Sequence, residues 1–411
     1  MRKHKEQPRI VLHVVGRLDM GGAESRIMDI YRCMDRSRVQ FYFVQHTRDR
    51  CFFVQEIEEL GGQVFYVPRF NVKNILAYRR AWRELFKAHP EIQIVQGHMT
   101  STAAIYLPIA KKAGVKVTIA HARSAGVDPG LKGMLTRFLR RKLSGKCDYC
   151  FTCSRLAGES VFGRKAMAAG KVELIPNAIQ VDRFVFDAVE RRRLRVELGL
   201  SDTFVLGHVG RFSPVKNHAY LLEILEQCVK KEKAGKLPPF MMILLGDGEL
   251  KEKIRQQTEQ KGLSDRVLFL GNQKEVYRYY QAMDFFLLPS FYEGLPGTAI
   301  EAQASGLKGI LSDTITEEAV VTDLLLQLSI REPAERWAEN ILEAAAHRTA
   351  DRDKLLEAAA GEEAKDTAIV YERRGYAAKV KAAGYDVAEQ AAGLQKFYLS
   401  GESMKGSACR Q

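Results

Sequence analysis

The chain has 411 residues, 46% hydrophobic and 27% charged, which is enough apolar content for full cores and enough length for two or three domains. Seven cysteines, odd in number and scattered, argue against a disulfide framework and for a reducing cytoplasm. The net charge of +13 is lopsided: residues 1–190 hold 32 Lys/Arg against 18 Asp/Glu, and residues 191–411 hold 31 against 32. An anionic partner is therefore expected at the first half, with nucleic acid and an anionic membrane surface as the candidates.

The first residues are basic in the manner of a signal peptide. The apolar run Ile10–Val15, however, stops at Gly16, short of the ~7–15 residues of such a segment. No stretch approaches the ~18 apolar residues of a membrane span. The chain is expected to be cytoplasmic and non-spanning.

"RIVLHVVG" (Arg9–Gly16) reads as a short strand, followed by the turn "MGGAES" (Met20–Ser25) and a helical pattern. Glycines at that place let backbone N–H groups approach a phosphate. A tight turn needing positive φ explains them equally well, because neither a dinucleotide fingerprint nor a P-loop is present. "FYFVQH", "QVFYVP", "IQIVQGH" and "VKVTIAHA" are further strands, alternating with helical runs such as "NILAYRRAWRELFKAH". That rhythm implies a parallel sheet.

"LKGMLTRFLRRKLSGK" (Leu131–Lys146) carries six basic residues, no acid and an apolar stripe at helical spacing. It fits an interfacial helix on anionic lipid, and it fits a core-facing helix with a solvated basic back. Nucleic acid is disfavoured, because stacking aromatics are not interleaved with the charges. In "KCDYCFTCS", Cys147, Cys150 and Cys153 recur every third residue. Three ligands fall short of a zinc site, and a strand would turn Cys150 away from the other two, so no metal is expected.

A second series of strands follows: "FVLGHVG", "FMMILLGDG", "RVLFLG" and "DFFLLPS", each leading into a helical pattern. Arg183–Leu200 reads as a connecting helix before them. The expected fold is α/β, with two doubly wound Rossmann-like domains. Ligands of such sheets bind beyond the carboxyl ends of the strands. There lie Arg211 and Lys216 in "HVGRFSPVKNH", complementary ligands for a diphosphate or ordinary surface bases. "LLGDGEL" and "LGNQKEV" form further turns on the same edge. Glu293 and Glu301 follow in "PSFYEGLPGTAIEAQASG", one on a glycine-rich turn and one at the start of a small-residue helix. Capping explains an acid in a first helical turn, as Glu301 is expected to be, but it does not explain Glu293.

"PSFYEGLPGTAIEAQASG" resembles the Glu-x7-Glu signature of retaining GT-B glycosyltransferases of family 4. "GGAE", "IPNAI", "VGRFSPVKNH", "GDGEL" and "GNQKEV" match further blocks of that family in its order, over about residues 9–399. The nearest likeness is to bacterial capsule and exopolysaccharide enzymes. The resemblance implies two domains facing across a cleft: 1–185 on the acceptor side and 186–375 on the nucleotide-sugar side. A helical segment, 376–399, would return to the first domain before a tail, 400–411.

It further implies that Arg211 and Lys216 hold the donor diphosphate without a metal or cofactor and that Glu301 takes the ribose. Glu293 would contact the transferred sugar, with the Gly294 and Leu295 amides nearby. Asn272, Gln273 and Val276 would meet the base. From the first domain, Gly21 and Gly22 would close over the donor, and His121 would be the active-site histidine. The implied donor is a nucleotide-sugar, of UDP type before GDP, and the acceptor a carbohydrate or lipid-linked oligosaccharide. Gln96 and Gly97 depart from the family pattern at a place that bears on acceptor contacts, and Lys308 departs where proline is usual. His98 and His208 are expected to be structural. A glycoside hydrolase built on Glu293 and Glu301, or a binding subunit without catalysis, are the rival readings.

Overall fold

The computed structural model describes residues 7–123, 126, 130–141, 143–232, 237–358 and 373–401, with backbone alone at 131, 132 and 348–358. The expected tail beyond residue 401 lies outside the described residues. The chain divides into two compact units, Met1–Ile179 with Gly384–Gln411, and Gln180–Ala383.

In the first unit the strands are β1 (Arg9–Val14), β2 (Val39–Gln45), β3 (Gln63–Tyr66), β4 (Ile92–Gly97), β5 (Val117–Ala122), β6 (Tyr149–Thr152) and β7 (Val172–Leu174). They form one parallel sheet in the order β3-β2-β1-β4-β5-β6-β7. Its helices are α1 (Gly22–Cys33), α2 (Val54–Glu59), α3 (Ile75–Ala88), α4 (Thr100–Lys112), α5 (Gly130–Arg140), α6 (Arg155–Phe162) and α7 (Arg164–Ala168). β1 is buried along nearly its whole length, as expected of a central parallel strand covered on both faces.

The second unit repeats the plan. Its strands are β8 (Phe204–Val209), β9 (Phe240–Leu245), β10 (Val267–Gly271), β11 (Phe285–Leu288), β12 (Gly309–Ser312) and β13 (Leu325–Leu328), in the order β10-β9-β8-β11-β12-β13. Helices α8 (Ala188–Glu197), α9 (His218–Glu232), α10 (Lys251–Gln260), α11 (Val276–Ala282), α12 (Gly297–Ala304), α13 (Ala334–Ala358) and α14 (Tyr376–Ala382) cover it. In both sheets the strand order reverses beside the first strand of the unit, β1 or β8, which is where such folds place ligands.

The segment read as a connecting helix belongs to the second unit. α8 packs on α11 and sends Arg191 and Arg195 inward to Asp284 at 2.5 and 3.1 Å, all three side chains being 4–5% exposed. The guanidiniums also donate to the carbonyls of Gln281, Ala282 and Met283, so these buried charges share one carboxylate and are hydrogen-bonded. At the far end of the unit, Gly306 takes φ +69°, and a Cβ there would meet the Arg373 backbone at 2.6 Å.

The last helix, α15 (Val387–Ser400), is capped by Asp386 and packs on α1, β1 and β2 of the first unit. Its Val387, Leu394, Phe397 and Tyr398 join the core of that sheet. One consequence is testable in the second unit. Asp284→Ala leaves two buried guanidiniums without their carboxylate and is expected to cost about 3–5 kcal/mol in urea unfolding. A loss under about 1 kcal/mol would contradict this role.

Candidate functional site

The carboxyl-end turns of the second sheet are laced together by backbone hydrogen bonds. Gly210, after β8, donates to the Leu245 carbonyl, and Phe212 donates to that of Asp247, after β9. Gly246 donates to the carbonyl of Gly271, the last residue of β10, and Phe291, after β11, donates to that of Val215. Gly246 has φ +132°, and a Cβ there would stand 2.1 Å from the Gly210 carbonyl oxygen, so only glycine permits this approach. The rim is one fabric rather than four loose loops.

Lys216 sits at the end of a single 3-10 turn, Pro214–Lys216, which is held by Asn217 in the left-handed region at φ 53°. A side chain at Gly210 would crowd the Lys216 methylenes at 3.2 Å. Along this path the ammonium reaches Glu293 Oε1 at 2.5 Å, with both side chains under a fifth exposed. The two residues, 77 apart in sequence, form an ion pair between the turns after β8 and β11. A pair this enclosed holds a carboxylate and a cation in fixed register.

Glu301 is 4% exposed and accepts a hydrogen bond from the Tyr280 hydroxyl at 2.9 Å. It is the fifth residue of α12, whose first turn carries no acid, so capping, one of the readings open for it, does not apply. The N-terminus of α12, behind buried Gly294 and Leu295, has no side-chain cap. Asn272 is exposed, Gln273 is tied to the Leu270 carbonyl at 2.5 Å, and Val276 opens α11. Arg211 stands apart: it is 74% exposed and meets Glu249 at 3.5 Å.

His208 lies beneath this rim, with Nδ1 against the Leu287 carbonyl at 2.9 Å. His218 stacks on Phe212 at 4.1 Å. Burial keeps both imidazoles uncharged, His218 being pulled down to about 3. His208 Nε2 is buried without a hydrogen-bond partner among the described residues.

In the first unit, Gly21 caps α1 and Gly22 begins it. His121 is wholly buried rather than surface-facing. Its Nδ1 lies 2.9 Å from the Gln96 amide, whose oxygen accepts from the Tyr398 hydroxyl at 2.6 Å. Gln96 is thus committed inside the unit, 1% exposed, and does not present an acceptor contact as its departure from pattern had suggested. His98 is half-buried beside Arg123 Nε at 3.4 Å and His13 Nδ1 at 3.0 Å. Because Arg123 can only donate, His98 accepts at Nδ1 and passes its own N–H to His13. Burial holds all three imidazoles uncharged, His13 at about 3.

Cys147 and Cys150 also differ from expectation. Cys147 precedes β6 in a bend rather than lying in the strand, so its sulfur meets that of Cys150 at 3.6 Å. Tyr280 and Arg123 were missed by motif reading. Arg123 had a signal, since it lies two residues beyond His121 and so on the same side of an extended chain. Tyr280, within "VYRYYQA", had none beyond an aromatic cluster.

Two parallel doubly wound sheets are the plan of the GT-B fold. Residues 20–183 match the family model Glycosyltransferase Family 4, and residues 190–362 match Glycosyl transferases group 1. The chain belongs to this glycosyltransferase family. It is 36% identical over 353 residues to EpsF of Bacillus subtilis (strain 168), which carries a glycosyltransferase name, covering 84% of this chain and 90% of EpsF. It is 23% identical to the capsular polysaccharide biosynthesis glycosyltransferase CapH of Staphylococcus aureus, covering 76% of this chain and 83% of CapH. The solved structure of Anabaena HepE in complex with UDP-glucose superposes with a TM-score of 0.70 at 18% identity, covering 96% of this chain and all of that one.

The buried imidazoles set an acid limit. A folded state that refuses protons the unfolded chain accepts loses stability as pH falls below about 6.5, and the loss runs on toward the folded-state value near 3. Above pH 7 both states are neutral and the dependence vanishes. Urea midpoints are expected to be flat from pH 8 to 7 and to fall from there to pH 5, less steeply in His218→Phe. An identical slope in that variant would contradict the assignment.

Proposed function

We propose that this chain transfers a sugar, with retention of configuration, from a UDP-sugar to a carbohydrate or lipid-linked acceptor. The observation that carries the reading is the Lys216–Glu293 pair on the laced rim, with Glu301 tethered by Tyr280 along the same strand ends. In this reading Lys216 faces the diphosphate and stabilises the charge that grows on it as the glycosidic bond breaks. Glu293, held in place by that ammonium, meets the transferred sugar, with the Gly294 and Leu295 amides nearby. Glu301 takes the ribose hydroxyls, and the backbone around Asn272–Val276 meets the base. Arg211, on the same turn, swings from Glu249 to the phosphates. The UDP-glucose bound by HepE supports a UDP-type donor. The hydrolase reading loses ground because Glu301 is buried against Tyr280 and its rim partner Glu293 is bound to a cation.

Lys216 and Arg211 together supply the positive charge that a divalent ion gives in other phosphate sites, so the reaction is proposed to be metal-independent. A peripheral membrane seat also belongs to this reading. None of the described helices is long and apolar enough to cross a membrane. On α5, however, Met134 and Phe138 are 62% and 70% exposed, while Leu135 and Leu139 are half-buried. The side chains of Leu131, Lys132 and Lys142 lie outside the described residues. Between α3 and α4 runs a groove of about 760 Å³ with an apolar floor, rimmed by Arg79, Arg83, Lys87, Lys112 and Lys146. Apolar side chains beside a basic rim suit anionic lipid headgroups.

Glu293→Gln is expected to lower transfer from UDP-glucose at least 100-fold while UDP still raises the melting temperature; near-normal turnover would sink the role. Excess EDTA is expected to leave the rate within about twofold, and a rate abolished by EDTA would overturn metal independence. Replacing Arg79, Arg83 and Lys87 by Gln is expected to release protein from anionic vesicles in a flotation assay. Equal flotation would refute the membrane seat.

A further inference from the structure

The bend that leads into β6 brings two thiols together in the first unit. Cys147 and Cys150 end the stretch "CDYC", a Cys-x-x-Cys spacing, and their sulfurs lie 3.6 Å apart. A covalent S–S bond is about 2.05 Å long, so closing it asks the sulfurs to approach by about 1.5 Å. Cys150 belongs to β6, where it is 4% exposed and stands in register with Ala120 of β5 and Val172 of β7. Cys147 is half-buried and is the more accessible of the two.

Between them the chain is pinned by Asp148. Its carboxylate accepts from the Thr118 amide and hydroxyl, both at 2.9 Å, and pairs with Lys111 at 2.7 Å. Its own amide donates to the Thr118 carbonyl at 2.9 Å. The bend is thus anchored on β5, and the meeting of the sulfurs is a product of the fold. The Cys147 thiol has two neighbours, the Leu143 carbonyl at 3.5 Å and the Cys150 sulfur. The hydrogen bond between the thiols keeps the proton on Cys147 and draws Cys150 toward its thiolate. Oxidation selects sulfurs by thiolate character and by exposure, and here the two properties are divided between adjacent residues.

We propose that Cys147 and Cys150 form a reversible disulfide, a redox-modification site separate from the donor residues of the second unit. The oxidant is a low-molecular-weight disulfide of the glutathione class. The Cys147 sulfur, once deprotonated, attacks one sulfur of that disulfide; a mixed disulfide forms and one external thiolate leaves. Cys150 then attacks Cys147, and the second external thiolate leaves. Two protein thiols are oxidised to one disulfide, one external disulfide is reduced to two thiols, and the two protons end on the released thiols. Closure removes the donor from the Leu143 carbonyl and ties Lys146, on the rim of the groove between α3 and α4, to β6. In a reducing compartment such bonds are transient and serve as sensors.

The test equilibrates full-length protein across a series of reduced-to-oxidised glutathione ratios, followed by acid quenching, alkylation, trypsin digestion and mass spectrometry. Cleavage after Lys146 and Arg155 leaves residues 147–155 as one fragment, which also holds Cys153. With rising oxidised glutathione that fragment is expected to become lighter by two hydrogen atoms, with Cys153 alone alkylated, and dithiothreitol is expected to reverse the change. Cys153→Ser is expected to shift the closing ratio by no more than about twofold, and Cys147→Ser or Cys150→Ser to abolish the internal bond. In urea-unfolded protein the ratio of closed to open fragment is expected to fall at least tenfold, because the bend no longer presents the sulfurs to each other. An internal bond that persists in Cys147→Ser, a fragment that stays open in oxidised glutathione alone, or equal closure in urea would overturn the proposal.

Discussion

The ion pair between Lys216 and Glu293 is the constraint on which the second unit's chemistry depends, and it exists only because backbone lacing brings their turns together. Residues 77 apart in sequence meet at 2.5 Å after the turns of β8, β9, β10 and β11 have exchanged amide hydrogen bonds. Glycine without a side chain at 210 and 246 lets those turns approach. Both charges are mostly withdrawn from water, where an isolated ammonium or carboxylate would be expensive and a matched pair is tolerated. In the proposed function, a diphosphate arriving at this rim would meet a cation already positioned, so little reorganisation would be required as charge develops.

The first unit uses the same fold differently. Its strand ends carry a chain of neutral imidazoles, His98 to His13, backed by His121, Gln96 and the returning Tyr398. The tautomers are set by donors that cannot accept, beginning with Arg123. α15, although last in sequence, therefore contributes a hydrogen-bonded side chain to the interior of the first sheet as well as covering its face. Positive charge gathers in front of this chain at Arg123 and Arg140, matching the basic excess of residues 1–190.

Much of this was legible in the sequence, for identifiable reasons. Parallel strands buried on both faces leave continuous apolar runs, so β1, β4, β8 and β11 stood out. Strand-end turns leave glycines, and Lys216, Glu293 and Glu301 were marked by lying beside them. The losses are equally specific. Sequence spacing placed Glu301 within the first turns of a helix, and it is the fifth residue of α12, past the first turn where a capping acid would sit. Cys147 and Cys150 touch because a bend precedes β6, and no strand periodicity encodes that bend. Tyr280 and Tyr398 acquire their roles only through tertiary contacts 21 and 302 residues away in sequence. Arg211 illustrates the opposite limit, a motif residue whose side chain lies in solvent against Glu249.

The central claim is that one nucleotide-sugar spans the rim from Lys216 to Glu301. A crystal structure with UDP bound tests it most directly. The account expects the phosphates within hydrogen-bond distance of Lys216 Nζ and the ribose hydroxyls on the Glu301 carboxylate. A nucleotide bound elsewhere, or one whose ribose lies away from Glu301, would contradict it.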